Sequence, residues 1–129
     1  MSHSVVISWP GGEHRFALPL GRLRALQGTT NAGPEEIFNR FRTGTWRADD
    51  VLETLRQGLI GGGMEQEEAG PLIARIGEQH GLIDLKLAAY KVIGAALFNP
   101  DDDRVGKDEG AGTAPPENGG SAGSTDTGP

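Results

Sequence analysis

A run of hydrophobic residues lies near the start of the chain and is followed by turn residues and a second hydrophobic segment. Residues 4–9, SVVISW, are rich in β-branched side chains, and residues 10–13, PGGE, supply turn residues. Residues 14–18, HRFAL, continue with Phe16 and Leu18 at alternate positions. This pattern predicts an N-terminal β-hairpin. Because an isolated hairpin is marginal in water, we expect its apolar side to pack on the helices that follow.

Two short helices are predicted next. Pro19 can begin the first, near residues 20–27, in which three leucines fall on one side before the segment QGTTNAG breaks the pattern. Pro34 suits the first position of the second helix, residues 34–43, whose acidic first turn faces the positive end of the helix dipole. Gly44 ends this second helix.

The third predicted helix has the clearest amphipathic pattern in the chain. Thr45 can cap it, and a triplet of glycines follows it. Its apolar positions follow the i, i+3, i+4, i+7, i+11 spacing: Ala48, Val51, Leu52, Leu55 and Leu59. We interpret Gly61, Gly62 and Gly63 as a hinge that terminates the helix.

Two further helices complete the pattern. Residues 64–81, MEQEEAGPLIARIGEQHG, combine an acidic first turn with apolar positions at helical spacing, and Pro71 lies near the start. The last helix, residues 82–98, is apolar around most of its circumference. It is therefore either central to a bundle or partly covered by another chain.

Together these elements predict a mainly α fold of the α+β type, with the N-terminal β-hairpin packed on a small bundle of about five helices. This domain covers residues 1–98. Residues 99–129 contain seven Gly, four Pro and no aromatic residue, so burial cannot repay the entropy of folding them. We predict that they form a disordered, acidic, Gly/Pro-rich tail.

Charge and composition narrow the classes of partner. The tail has a net charge of −5 and the domain one of −1, so the domain has no basic excess with which to bind phosphates. We expect neither nucleic acid nor membrane as a partner. The absence of cysteine excludes disulfides and thiolate sites, and residues 1–20 do not match a signal peptide. These features favour the cytoplasm.

No residue pattern indicates catalysis. The histidines, His3, His14 and His80, have no partner at the spacing of a metal site or a triad. Residues 58–64, GLIGGGM, follow a helix rather than a strand and lack the Lys-Ser or Lys-Thr of a phosphate-binding loop. Residues 101–103, DDD, lack the ligand spacing of an EF-hand. We predict no enzymatic activity, no cofactor and no metal.

A longer motif resembles a known family. Residues 49–73, DDVLETLRQGLIGGGMEQEEAGPLI, follow a hairpin and LPLGRLRALQ and precede an apolar helix ending in ALFNP. This arrangement, over residues 5–98, resembles the small tail-assembly proteins of gene transfer agents and siphophage-like prophages. The family is called gene transfer agent family protein, and it is also described as phage tail tube protein or phage tail assembly chaperone.

The resemblance implies a non-enzymatic protein of phage-type tail morphogenesis. It also implies that the protein is located in the bacterial cytoplasm, or associated with the virion if its role is structural. In the chaperone interpretation, it keeps the long tape-measure protein soluble until tube subunits polymerise around it. Tail-tube subunits are built on β-sheets that close into rings, whereas this chain has one predicted hairpin, so we favour the chaperone. The alternatives are a structural tail component retained in the particle, or an unrelated small helical protein-binding or regulatory module. Self-association of the chain stays open.

The candidate partner-binding residues are apolar residues beyond those that the predicted core needs. Trp46 precedes the third helix, where it acts either as a hydrophobic staple on that helix or as an anchor for a partner. The apolar last helix contributes four more candidates: Leu82, Leu85, Tyr90 and Phe98. The alternative is that all four face the core of their own domain.

Overall fold

The computed structural model describes residues 4–98. Within this range the elements are, in chain order, β1 (Val5–Trp9), β2 (Gly12–Phe16), α1 (Leu20–Thr30), α2 (Pro34–Thr43), α3 (Ala48–Gly61), α4 (Gln66–Gln79) and α5 (Leu82–Leu97). This architecture confirms the predicted mainly α fold with an N-terminal hairpin and five helices. The predicted tail, residues 99–129, and the domain boundary before it lie outside the described residues.

The hairpin has one face turned toward the helices. β1 and β2 pair antiparallel, in a register that runs from Val5 opposite Phe16 to Trp9 opposite Gly12. Ile7 and Trp9 are buried, whereas the residue between them is exposed. This alternation is what a strand with one solvated face requires, and it places the apolar side of β1 in the core.

Two helices organise the core. α3 packs against α1, α4, α5 and β2, while α5 packs also against α2 and β1. The largest fully buried side chains of these elements include Phe16, Leu55, Leu59, Leu85 and Ile93. α5 is therefore central to the bundle, which is one of the two alternatives that its apolar composition left open.

The last turns of α3 lie directly against the backbone of the hairpin. The Ala17 backbone N–H donates a hydrogen bond to the Gly58 carbonyl, 3.0 Å away. A Cβ added to Gly61 would overlap the Ala17 carbonyl, and one added to Gly62 would overlap the Arg15 carbonyl. These glycines thus permit a close approach between α3 and β2. A hinge at this point, as interpreted from the sequence, would require that contact to open.

α1 is three residues longer than predicted. The Thr30 hydroxyl donates to the Leu26 carbonyl at 2.7 Å, so this residue bonds to the last turn instead of breaking it. The helix ends where Asn31 adopts a left-handed conformation with φ of 56°.

The cap of α3 also differs from the prediction. Thr45 does not cap the helix, because the N-cap position belongs to Arg47. The Arg47 backbone N–H donates to a carboxylate oxygen of Asp50 at 2.9 Å, which is the reciprocal half of a capping box. The end of the helix at the glycines agrees with the prediction. Of the predicted apolar stripe, Val51, Leu55 and Leu59 are buried and Leu52 is partly buried, whereas Ala48 is exposed.

Candidate partner-binding surface

α5 has apolar residues on two opposite sides. One side is buried against the bundle and comprises Leu85, Ala88, Ala89, Val92 and Ile93. On the other side, Ile83 and Leu87 expose 59% and 50% of their surface. Tyr90 continues this second side at the i, i+4, i+7 spacing and is half-buried. We call Ile83, Leu87 and Tyr90 the outer face of α5.

α2 covers only the C-terminal part of the outer face. The Phe38 ring stacks on the Tyr90 ring, with centroids 4.9 Å apart and planes inclined by 16°. A Cβ on Gly94 would lie 3.6 Å from Phe38 Cε1, so α2 also passes close to α5 one turn further on. The N-terminal turns of the outer face, with Ile83 and Leu87, remain exposed to solvent.

Two lysines border the exposed part. Lys86 follows Ile83 by three residues and Lys91 follows Leu87 by four, so each lies one turn from an exposed apolar side chain. Neither ammonium group lies within 4.0 Å of a carboxylate among residues 4–98. Among residues 4–98, the outer face therefore combines apolar side chains with two bordering lysines that have no carboxylate partner.

The structure separates the candidates that the sequence grouped together. Leu85 has no exposed surface and packs in the core, so it offers nothing to a partner in this conformation. Leu82 and Tyr90 are partly buried and pack against the core. Phe98 is 50% exposed directly after the end of α5. Trp46 is also partly buried and packs against the core.

Sequence reasoning missed Ile83 and Leu87. A signal for them existed, because positions 83, 87 and 90 form their own helical stripe. The apolar residues at 85, 88 and 92 form a second stripe on the other side of the helix, so periodicity alone did not tell which stripe was buried. The contact between α3 and α5 decides between them.

A second feature is a buried carboxylate that joins three helices. Asp50 has no exposed surface and accepts hydrogen bonds from Arg40 Nη1 at 3.1 Å and from Arg47 Nη2 at 3.2 Å. Arg47 Nη2 also donates to the Thr30 carbonyl at 2.7 Å, and Arg40 pairs with Glu36 at 2.9 Å. The cluster fastens the end of α1 and the middle of α2 to the start of α3.

The electrostatics of this cluster favour the charged form of Asp50. Burial would raise the pKa of its carboxyl, but the hydrogen bonds from Arg47 and the charges of Arg40 and Arg47 outweigh burial and lower it. Asp50 is fully buried and the hydrogen bonds of the cluster join three helices, so we assign this cluster to the fold.

The two described histidines, for which the sequence predicts no chemistry, lie in different parts of the fold. His14 Nδ1 accepts a hydrogen bond from Trp9 Nε1 at 2.9 Å, at the edge of a cleft of about 690 Å³ between the hairpin and α4. His80 is exposed at the end of α4, and His3 precedes the described residues. Between residues 4 and 98, no group of three or more His, Cys, Asp or Glu side chains could hold a metal ion.

Comparison with known proteins places the chain in a family. Residues 2–99 match the model of a family of phage tail proteins. The family is described as phage tail tube protein, GTA-gp10, and the chain belongs to it. This match confirms the resemblance to the tail proteins of gene transfer agents and phages. No curated protein and no solved structure matches the chain. In the described part of the chain, no helix is long and apolar enough to cross a membrane.

Proposed function

We propose that this protein is a non-enzymatic tail-assembly chaperone that binds a helical segment of the tape-measure protein in the cytoplasm of the producing cell. The observation that carries the proposal is the outer face of α5, where Ile83 and Leu87 are exposed on successive turns of a central helix. Apolar side chains at this spacing suit an amphipathic helix that lies along them. A tape-measure protein, being long and rich in helices, offers such segments.

The fold of the described residues supports an assembly factor over a tube subunit, although the family description names the tube. Tube subunits close into rings through β-sheets. Residues 4–98 contain a single two-stranded sheet, and its strands occupy only Val5–Trp9 and Gly12–Phe16. Two paired strands of five residues are too little sheet for such a ring.

The first test compares cells with particles. The protein is quantified by mass spectrometry in producing cells and in purified particles from the same culture, relative to the major capsid protein. A chaperone is abundant in the cells and nearly absent from the particles. Many copies per particle would instead identify a structural tail subunit and overturn the chaperone.

A second test addresses the surface. The protein is co-expressed with the tape-measure protein, and the amount that co-purifies is measured for the wild type, Leu87→Glu and Leu20→Glu. Leu20 is the matched control, since it is a leucine on α1 that is 62% exposed. We expect Leu87→Glu to reduce co-purification at least about tenfold, the effect of a lost interface anchor, and Leu20→Glu to leave it unchanged. Equal binding by both variants would show that the outer face of α5 is not the surface that binds the tape-measure protein.

A further inference from the structure

We propose that the outer face of α5 selects an amphipathic helix whose apolar stripe is bordered by acidic side chains. The inference rests on the proposed function for the identity of the natural partner, and it adds the charge pattern by which that partner is recognised. It is carried by the position of two lysines relative to the exposed apolar residues.

The apolar part of the site sets the shape of the ligand. Ile83 and Leu87 lie one turn apart, and the stacked Phe38 and Tyr90 rings continue the surface toward the C-terminal end of α5. This gives a narrow apolar strip along about two turns of helix, which matches the seam of a second helix and not a broad sheet surface.

The lysines lie on both borders of this strip. At helical periodicity Lys86 projects about 60° to one side of Ile83, and Lys91 about 40° beyond Leu87 on the other side. The exposed carboxylate of Asp84 projects about 60° beyond Leu87, on the same border as Lys91, and lies about 10 Å from Lys91 along the helix axis. An approaching helix therefore meets Lys86 alone at one edge of its apolar contact and Lys91 with Asp84 at the other, so the net charge at the two edges is positive.

This charge pattern disfavours a second copy of the same chain. A symmetric antiparallel pair of α5 helices that joins Ile83 to Leu87 places the two Lys86 side chains at the same border of the interface. Like charges opposed in this way are repulsive. A partner with Glu or Asp at its borders instead pairs with Lys86 and Lys91, which have no carboxylate partner among residues 4–98.

The test uses two synthetic helical peptides of about 18 residues, long enough to form helix on contact. Both have the same apolar stripe, but one has Glu and the other Lys at every border position. Titration calorimetry measures their affinity for the full chain. At low salt we expect the acidic-border peptide to bind about fivefold more tightly, and we expect the difference to shrink as salt screens the charges.

Charge reversal provides the matched variants. In the double variant Lys86→Glu/Lys91→Glu, the preference should invert toward the basic-border peptide. The control, Arg24→Glu/Arg75→Glu, reverses two exposed cations on α1 and α4 and should keep the preference of the wild type. Equal affinity of the wild type for both peptides would overturn the inference, as would a preference that survives reversal of the two lysines.

Two further measurements distinguish this inference from the proposed function. If the wild type and Lys86→Glu/Lys91→Glu co-purify equally well with the tape-measure protein, the inferred preference for acidic borders is wrong while the chaperone function stands. If the tape-measure protein never co-purifies, the proposed chaperone function is wrong, and the peptide affinities still test the preference for acidic borders. A wild-type dimer in sedimentation velocity that Leu87→Glu dissociates would show a second copy on the face and overturn the inference.

Discussion

Asp50 shows how one residue connects local and tertiary structure. It is the only charged side chain among residues 4–98 that is fully buried, and it receives hydrogen bonds from the Arg47 backbone, Arg47 Nη2 and Arg40. A buried carboxylate with all its donors in place costs little net free energy, but removing its charge leaves Arg40 with Glu36 alone and Arg47 with no carboxylate partner among residues 4–98. We therefore expect even a substitution that only removes the charge of Asp50 to lower the stability of the fold.

We predict that Asp50→Asn lowers the free energy of unfolding by about 3 kcal/mol. Asparagine keeps the shape of the buried side chain but removes the negative charge with which Arg40 pairs. Urea denaturation followed by circular dichroism measures the change. Asp49→Asn is the control, since Asp49 is the exposed neighbour on the same first turn of α3, and its cost should stay within about 0.5 kcal/mol. A similar loss in both variants would show that the effect belongs to the helix dipole and not to the cluster.

The same variant gives a pH signature. Because the folded-state pKa of Asp50 lies below its ordinary value, its contribution to stability is present above about pH 3.9 and is lost as pH falls through the folded-state pKa. The wild type should thus lose more stability than Asp50→Asn during acid titration. Parallel stability curves for the two proteins would contradict the assignment.

At the scale of secondary structure elements, the contact between α3 and the hairpin depends on the absence of side chains. A Cβ on Gly58 would lie 2.9 Å from Val92 Cγ1 and 3.0 Å from Phe16 Cδ2. At Gly61 and Gly62 the obstacle is backbone, which cannot move aside without displacing β2. The hairpin therefore packs directly against the backbone at the end of α3.

We predict that Gly61→Ala lowers the free energy of unfolding by about 3 kcal/mol, because a methyl group would separate α3 from the Ala17 carbonyl. Gly28→Ala is the matched control. Gly28 lies in α1 with nothing within 4 Å of an added Cβ, so alanine should stabilise the protein by about 0.5 kcal/mol through helix propensity. Thermal and urea unfolding of both variants measure these values. If Gly61→Ala behaves like Gly28→Ala, the close packing is not required and a hinge regains support.

Elements with local signals were predictable, and those shaped by tertiary contacts were not. α2 begins at Pro34 and ends before Gly44 as the sequence predicts, because proline and glycine act on the backbone of their own residue. The N-cap of α3 depends instead on Asp50, whose other partner, Arg40, lies on a different helix. Thr45 is a sound cap by composition, but it does not take part in that cluster, and no local pattern could reveal this.

At the scale of the whole molecule, α5 has two roles that its sequence does not separate. One apolar stripe completes the core between α3, α2 and β1, and the other faces outward. The sequence predicted that this helix has more apolar surface than a surface helix needs. It could not predict that Leu85 belongs to the core and Leu87 to the outer face, since that depends on where α3 lies. The same uncertainty placed Leu85 among the candidate contact residues.

This division of α5 predicts opposite behaviour for two leucines two residues apart. Leu85→Ala should lower the free energy of unfolding by about 3 kcal/mol, because it opens a cavity in a fully buried site. Leu87→Ala should change it by no more than about 0.5 kcal/mol, because half of that side chain is already in water. Urea unfolding measures both, and co-purification with the tape-measure protein is compared for the two variants below their unfolding midpoints. Weaker binding by Leu87→Ala with stability intact would separate the contact surface from the core, whereas equal destabilisation by both would show that the outer face belongs to the fold and that a partner must bind elsewhere.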